Sequence, residues 1–272
     1  MIKKWIINGD LHGEFERLRY LRHETPNETA IVCLGDFGGY YYLNNKETSI
    51  RRKLAKYRTF IYVVRGNHEE NPKELPNMAL VYDENVNGYV YMDNNEPWLR
   101  FFQDGGEYKI NGHSVLTLGG AYSVDKCYRK MMGYAWFPHE QLTQEERDDI
   151  LAKIENKHYD IVLSHTCPFD WEPTDLFLSQ IDQSTVDVSM ELWMNEIKDK
   201  ITYNLWLFGH FHDDRLVRPH VEMYFQDIED LEIIYNRWNG DNPDIPKNLY
   251  KDPNYNLNDN QWGENNGVTR YY

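Results

Sequence analysis

Five times along this 272-residue chain, an apolar run ends in a short segment that combines glycine or serine with aspartate, asparagine or histidine. The runs cover 3–8, 30–34, 60–64, 160–164 and 203–208. They lead into Gly9-Asp-Leu-His-Gly13, Gly35-Asp-Phe-Gly-Gly39, Gly66-Asn-His-Glu69, Ser164-His-Thr-Cys-Pro168 and Gly209-His-Phe-His212. Short continuous apolar runs bounded by turn residues read as strands of a sheet buried on both faces. The spacing of Phe15, Leu18 and Leu21 predicts a helix over 13–23, and Thr48 or Ser49 is placed to cap a basic helix running through Tyr57. Strands alternating with helices make an α/β protein. Ligands of such sheets sit outside the carboxyl ends of the strands, so the five segments are expected to meet in one crevice.

Short strands are expected at 89–92, 99–103, 107–110 and 114–118, with Asn111-Gly112 as the hairpin turn between the last two. Thr143-Gln-Glu-Glu146 is a capping box that opens a helix reaching Lys157. Val186, Met190, Trp193, Met194, Ile197 and Ile201 mark the apolar stripe of another helix. Segments 221–225 and 231–235 read as closing strands. From Asn236 the chain is rich in Asn, Asp, Pro and Tyr without periodicity. The expected organisation is a catalytic domain over 1–235 and a C-terminal extension over 236–272 that is not a separate domain.

Charge narrows the partners. Lys and Arg number 29 against 44 Asp and Glu, a formal charge of −15. That balance argues against gripping nucleic acid by its phosphates and against docking on an anionic membrane. The three cysteines, Cys33, Cys127 and Cys167, are scattered and form no C-x-x-C pair, as expected in a reducing compartment. No apolar stretch approaches the ~18 residues that span a bilayer, and the amino-terminal apolar run is too short for a signal peptide. The expected location is cytoplasmic.

The polar segments supply Asp10, His12, Asp36, Asn67, His68, His165, His210 and His212. These are nitrogen and oxygen donors suited to borderline or hard divalent ions, with no thiolate needed. On an extended backbone, residues i and i+2 point the same way, so Asp10 with His12, and His210 with His212, would each aim two ligands into one space.

Together and in this order, the motifs resemble those of the calcineurin-like metallophosphoesterases, over about residues 5–215. The resemblance implies a four-layer αββα sandwich holding two divalent metal ions. Asp10, His12 and His212 would bind the first ion, and Asn67, His165 and His210 the second. Asp36 would bridge both, while His68 would be catalytic and not a ligand. Manganese, iron, zinc, cobalt and nickel all suit these donors. The implied reaction is hydrolysis of a phosphate ester, with a metal-bridging hydroxide attacking phosphorus in line. The centre would be locally positive despite the acidic chain, and His68 would stabilise the developing charge or protonate the leaving oxygen.

A further segment, Gly119 to Arg129, resembles a stretch in some bacterial and phage-type members, and Lys126 and Arg129 are its candidate substrate-phosphate contacts. The second motif departs from the serine/threonine phosphoprotein phosphatases, with Gly39 where they have Asp and Tyr40 where they have a phosphate-binding Arg. That departure, with the space left by Gly38-Gly39, makes a phosphodiesterase the expected activity. A phosphomonoesterase acting on nucleotides or proteins is the alternative. A catalytically silent scaffold would be expected to lose a ligand or the catalytic histidine, and neither is lost here.

Overall fold

A computed structural model describes residues 2–240 of the chain. Its strands, in chain order, are β1 (Lys4–Asn8), β2 (Thr29–Cys33), β3 (Phe60–Val63), β4 (Met78–Asp83), β5 (Gly88–Asp93), β6 (Leu99–Phe102) and β7 (Gly106–Ile110). There follow β8 (His113–Leu118), β9 (His158–Ser164), β10 (Thr202–Phe208), β11 (Arg215–Arg218), β12 (Val221–Met223) and β13 (Ile228–Asp230). The α-helices are α1 (Asn45–Leu54), α2 (Lys126–Met132), α3 (Gln144–Ile154), α4 (Ser189–Lys200) and α5 (Leu231–Asn239).

Among the described residues the strands form two sheets, ordered β13-β1-β2-β3-β6-β5-β4 and β11-β12-β10-β9-β8-β7. The pairs β1–β2, β2–β3 and β3–β6 are parallel in the first sheet, as are β8–β9, β9–β10 and β10–β12 in the second. Parallel pairing puts the carboxyl ends of β1, β2 and β3 on one rim, and those of β9 and β10 on one rim of the other sheet. All five polar segments lie on these two rims.

Period-two alternation divides the apolar side chains among three layers of core. Trp5, Ile7, Val32 and Tyr62 of the first sheet meet Val115, Ile161, Leu163, Leu205 and Leu207 of the second in the space between them. Their neighbours Ile6, Ile31, Cys33, Ile61 and Val63 face outward, onto Leu18 and Leu21 of a 3-10 helix, Leu54 of α1 and Tyr57 in the 3-10 turn that follows it. On the far side Leu116, Val162, Trp206 and Phe208 face Met190, Trp193, Met194 and Ile197 of α4. The result is a helical layer, two sheets and a second helical layer. No helix among the described residues is long and apolar enough to cross a membrane.

Several local signals act as expected. Asn111 and Gly112 take left-handed φ of 49° and 88° and join β7 to β8. Thr143 and Glu146 form both halves of the capping box of α3, although the helix ends at Ile154 and not at Lys157. Other expectations are corrected. The segment over 15–23 is a 3-10 helix, and α1 is capped by Asn44, whose side chain accepts from Glu47 N, and not by Thr48 or Ser49. The stripe of α4 does not include Val186, which follows a separate 3-10 turn.

The largest correction is at 231–235, which is not a strand but the start of α5. Leu231, Ile234, Tyr235 and Trp238 recur at helical spacing and pack on the inter-sheet core, with Asp230 capping the first turn. The helix runs past position 235, where the sequence reading ended the domain, and the rest of the expected extension, 241–272, lies outside the described residues.

A buried ion pair anchors α5. Arg237 Nη1 donates to both oxygens of Glu222 on β12 at 2.7 Å, and the side chains are 1% and 0% exposed. The guanidinium also pairs with Glu229 of β13, while Trp238 Nε1 donates to Glu222 at 2.6 Å. Arg237→Ala would leave the Glu222 charge buried and unpaired, and is expected to destabilise the fold by about 3–5 kcal/mol in urea unfolding.

Candidate metal centre

The centre is built at the crevice between the two rims. Asp10 follows β1, and its carboxylate is fully buried. Oδ1 accepts from the backbone N–H of His210 at 3.0 Å. Oδ2 has no hydrogen-bond partner among the described residues, and lies 3.3 Å from His212 Nε2 and 3.7 Å from His12 Nε2. Asp36 follows β2 and repeats the arrangement. Its Oδ1 accepts from His68 N at 2.7 Å, and its Oδ2 lies 3.8 Å from His12 Nε2 and 3.6 Å from His165 Nε2. Each aspartate therefore fixes one oxygen on the backbone and turns the other toward imidazoles. The chains approach so closely that a Cβ on Gly66 would strike the Asp36 carboxylate, and one on Gly209 would strike that of Asp10.

The histidines face one another in a way that calls for a cation. His12 Nε2 and His212 Nε2 are 2.8 Å apart. His165 Nδ1 is 2.8 Å from the Leu34 carbonyl, which can only accept, so a neutral ring carries its lone pair at Nε2. That lone pair meets the Asn67 carbonyl oxygen at 2.8 Å. Two acceptors at that distance repel unless a proton or a metal lies between them. With the orphaned Asp10 oxygen, this donor set fits a divalent metal ion. Asp10, His12 and His212 form one group that could hold an ion; His12, Asp36 and His68 form another; Asp10, Asp36 and His165 form a third.

Electrostatics agree. Burial works to raise the Asp10 pKa, yet the nearby His12 and His212 imidazoles outweigh it and hold the group well below the ordinary carboxylate value. Burial likewise opposes ionisation of Asp36, and electrostatic attraction to the surrounding imidazoles of His165, His68 and His12 outweighs it, holding its pKa below the ordinary carboxylate value. Both groups stay anionic in the absence of metal. Burial pushes His68 and His210 each down to about 3, keeping these rings neutral.

The backbone corrects one argument from spacing. His12, His210 and His212 have left-handed φ of 45°, 71° and 56°, so these segments are turned and not extended. His210 and His212 consequently part company. The His212 ring lies 4.8 Å from that of His12, whereas the His210 ring lies 4.9 Å from that of His165. Left-handed non-glycine residues are strained, and such strain gathers at functional sites.

The two candidate substrate contacts separate. Arg129 is 2% exposed on α2, with Nη1 3.3 Å from His68 Nδ1 and Nη2 donating to Ser123 at 2.8 Å. Lys126 points elsewhere, its ammonium 4.3 Å from the centre of the Trp136 ring. Other supports escaped the sequence reading. Arg17 donates to the carbonyls of Asp10 and Phe225, and the Phe225 ring stacks on His212 at 4.7 Å. Asp214, two residues beyond His212, accepts from the backbone N–H groups of Phe225, Gln226 and Asp227. A carboxylate so near Gly209-His-Phe-His212 was the available signal.

No curated protein sequence matches the chain. Among solved structures it is similar to TT1561 of Thermus thermophilus, at 13% identity and a TM-score of 0.44, covering 85% of this chain and 98% of that one. It is also similar to a phosphopantetheinyl hydrolase from Mycobacterium tuberculosis, at 12% identity and a TM-score of 0.40, covering 82% and 88%. The profile of the calcineurin-like phosphoesterases matches residues 4–214, a span that takes in both rims and every loop of the centre. The chain belongs to that family, and is a metal-dependent hydrolase of phosphate esters.

Proposed function

We propose that the centre holds two divalent ions and hydrolyses phosphate diesters. The observation that carries the two-ion reading is the Asp36 Oδ2 atom, which lies 3.8 Å from His12 Nε2 and 3.6 Å from His165 Nε2. Asp10, His12 and His212 would hold one ion, Asn67, His165 and His210 the other, and Asp36 both. Manganese, iron, zinc, cobalt and nickel fit the donors equally.

Such ions, when bound, supply an activated water at neutral pH and polarise the phosphoryl oxygens. The chain's own contribution is positioning. Asp10 and Asp36 are held ionised, and their backbone hydrogen bonds keep the inward oxygens in place. His68 has Arg129 at Nδ1, which leaves an Nε2–H to bond the leaving oxygen. Tyr41 lies parallel to the His68 ring, centroids 6.4 Å apart.

Preference for a diester is supported by the fate of the second motif. Tyr40 is buried, with its hydroxyl donating to Glu96 at 3.1 Å, so it offers nothing to a phosphate. The Arg129 guanidinium is 2% exposed and held against Ser123, His68 and Asp125. A monoester carries the extra charge that would gain most from a free guanidinium. With metal-reconstituted protein, bis-nitrophenyl phosphate is expected to turn over at least as fast as nitrophenyl phosphate. Monoester turnover about a hundredfold faster with every metal would transfer the proposal to a phosphatase.

A further inference from the structure

The segment between β8 and α3 supplies no ligand to the centre, yet it presses a set of buried polar groups onto Asn67 and His68. Ser123 is 1% exposed. Its hydroxyl accepts from Asn67 Nδ2 at 2.9 Å and from Arg129 Nη2 at 2.8 Å, and donates to Glu140 Oε2 at 2.5 Å. One donor and two lone pairs are all a hydroxyl has, so Ser123 is saturated. Glu140 is steadied from the other side by Trp136 Nε1 at 2.8 Å.

Two consequences follow from this one hydroxyl. Since Nδ2 of Asn67 is committed to Ser123, the opposite end of the planar amide must present Oδ1 to His165 Nε2, 2.8 Å away. Arg129, gripped by the same hydroxyl, sets Nη1 3.3 Å from His68 Nδ1. A guanidinium can only donate, so Nδ1 must be the acceptor and the neutral ring carries its proton on Nε2. We propose that Ser123 is a positioning residue: its hydroxyl aims the Asn67 carbonyl oxygen at the metal and, through Arg129, holds His68 in the Nε2–H tautomer. The inference rests on the reading of Asn67 as a ligand and His68 as the catalytic histidine.

The test reads metal binding and the imidazole proton, not turnover alone. Calorimetric titration of metal-free protein with Mn2+ is expected to show Ser123→Ala binding one ion as the unmodified chain does and the other about 10–100-fold more weakly. Nitrogen NMR of the diamagnetic Zn2+ form is expected to show His68 purely Nε2–H in the unmodified chain and a tautomer mixture in Ser123→Ala. Ser123→Thr, which keeps the hydroxyl, should restore both readouts. Should the alanine variant fail to fold, Ser123→Cys fills the space with a poor hydrogen-bonding group and carries the same expectation. Tight uptake of both ions together with an unchanged His68 tautomer would overturn the inference. If the unmodified chain itself takes up a single ion, the two-ion reading falls, and the His68 tautomer alone decides the role of Ser123.

Discussion

Replacing Asp36 by asparagine is expected to strip both ions from the protein at once. Its Oδ2 faces both His12 and His165, whereas Oδ1 only accepts from His68 N. Asparagine fills the same volume and its carbonyl oxygen can still take that backbone hydrogen bond, so the loop should keep its shape. What disappears is the negative charge that two cations would share. Activity should fall by at least about 10³-fold, beyond the loss of one transition-state contact. Metal analysis after desalting is the direct readout, and two tightly held ions in Asp36→Asn would sink the assignment. Asp10→Asn is the control, because Asp10 Oδ2 lies against His12 and His212 and should cost mainly one ion.

His68→Ala is expected to behave in the opposite way, keeping its metal and losing its rate. The ring is one of several around the Asp36 carboxylate, but Arg129 occupies one of its nitrogens. A kcat lower by about 10²–10⁴-fold is the usual result of removing a positioned proton donor. The loss should shrink for nitrophenolate, which leaves with little help, and stay large for an alkoxide. Equal losses for both would mean that His68 stabilises charge on the phosphoryl group and does not serve the leaving oxygen. Loss of an ion would reassign the residue as a ligand.

Much of this centre was legible because its signals are local. An apolar run that stops at Gly9-Asp10, Gly35-Asp36 or Gly66-Asn67 reports both a strand and its end, with no partner needed to interpret it. The capping box at Thr143 and the turn at Asn111-Gly112 are equally self-contained. Helix α5 was missed because five residues, 231–235, are too few to separate a strand from a helix; Arg237 and Trp238, two and three residues beyond that window, settle the period. Arg129 was legible as a charge but not as a buried one. Its burial depends on Ser123 and on His68, 61 positions earlier in the chain.

The chain by itself determined which side chains stand at the strand ends and therefore which chemistry is possible. Those features depend on residue type and short-range spacing, which folding cannot change. Only the tertiary structure decided which of these side chains come to face one another. His210 and His212 diverge because left-handed turns replace an extended backbone. Asp36 comes to face His165, 129 residues away, only because two separate sheets bring their rims together. Pairings of that kind are set by the packing of one sheet on the other through the core of Trp5, Val32, Leu163 and Leu207. No stretch of sequence contains that packing, since it is the lowest-free-energy arrangement of the whole chain and not a property of any segment.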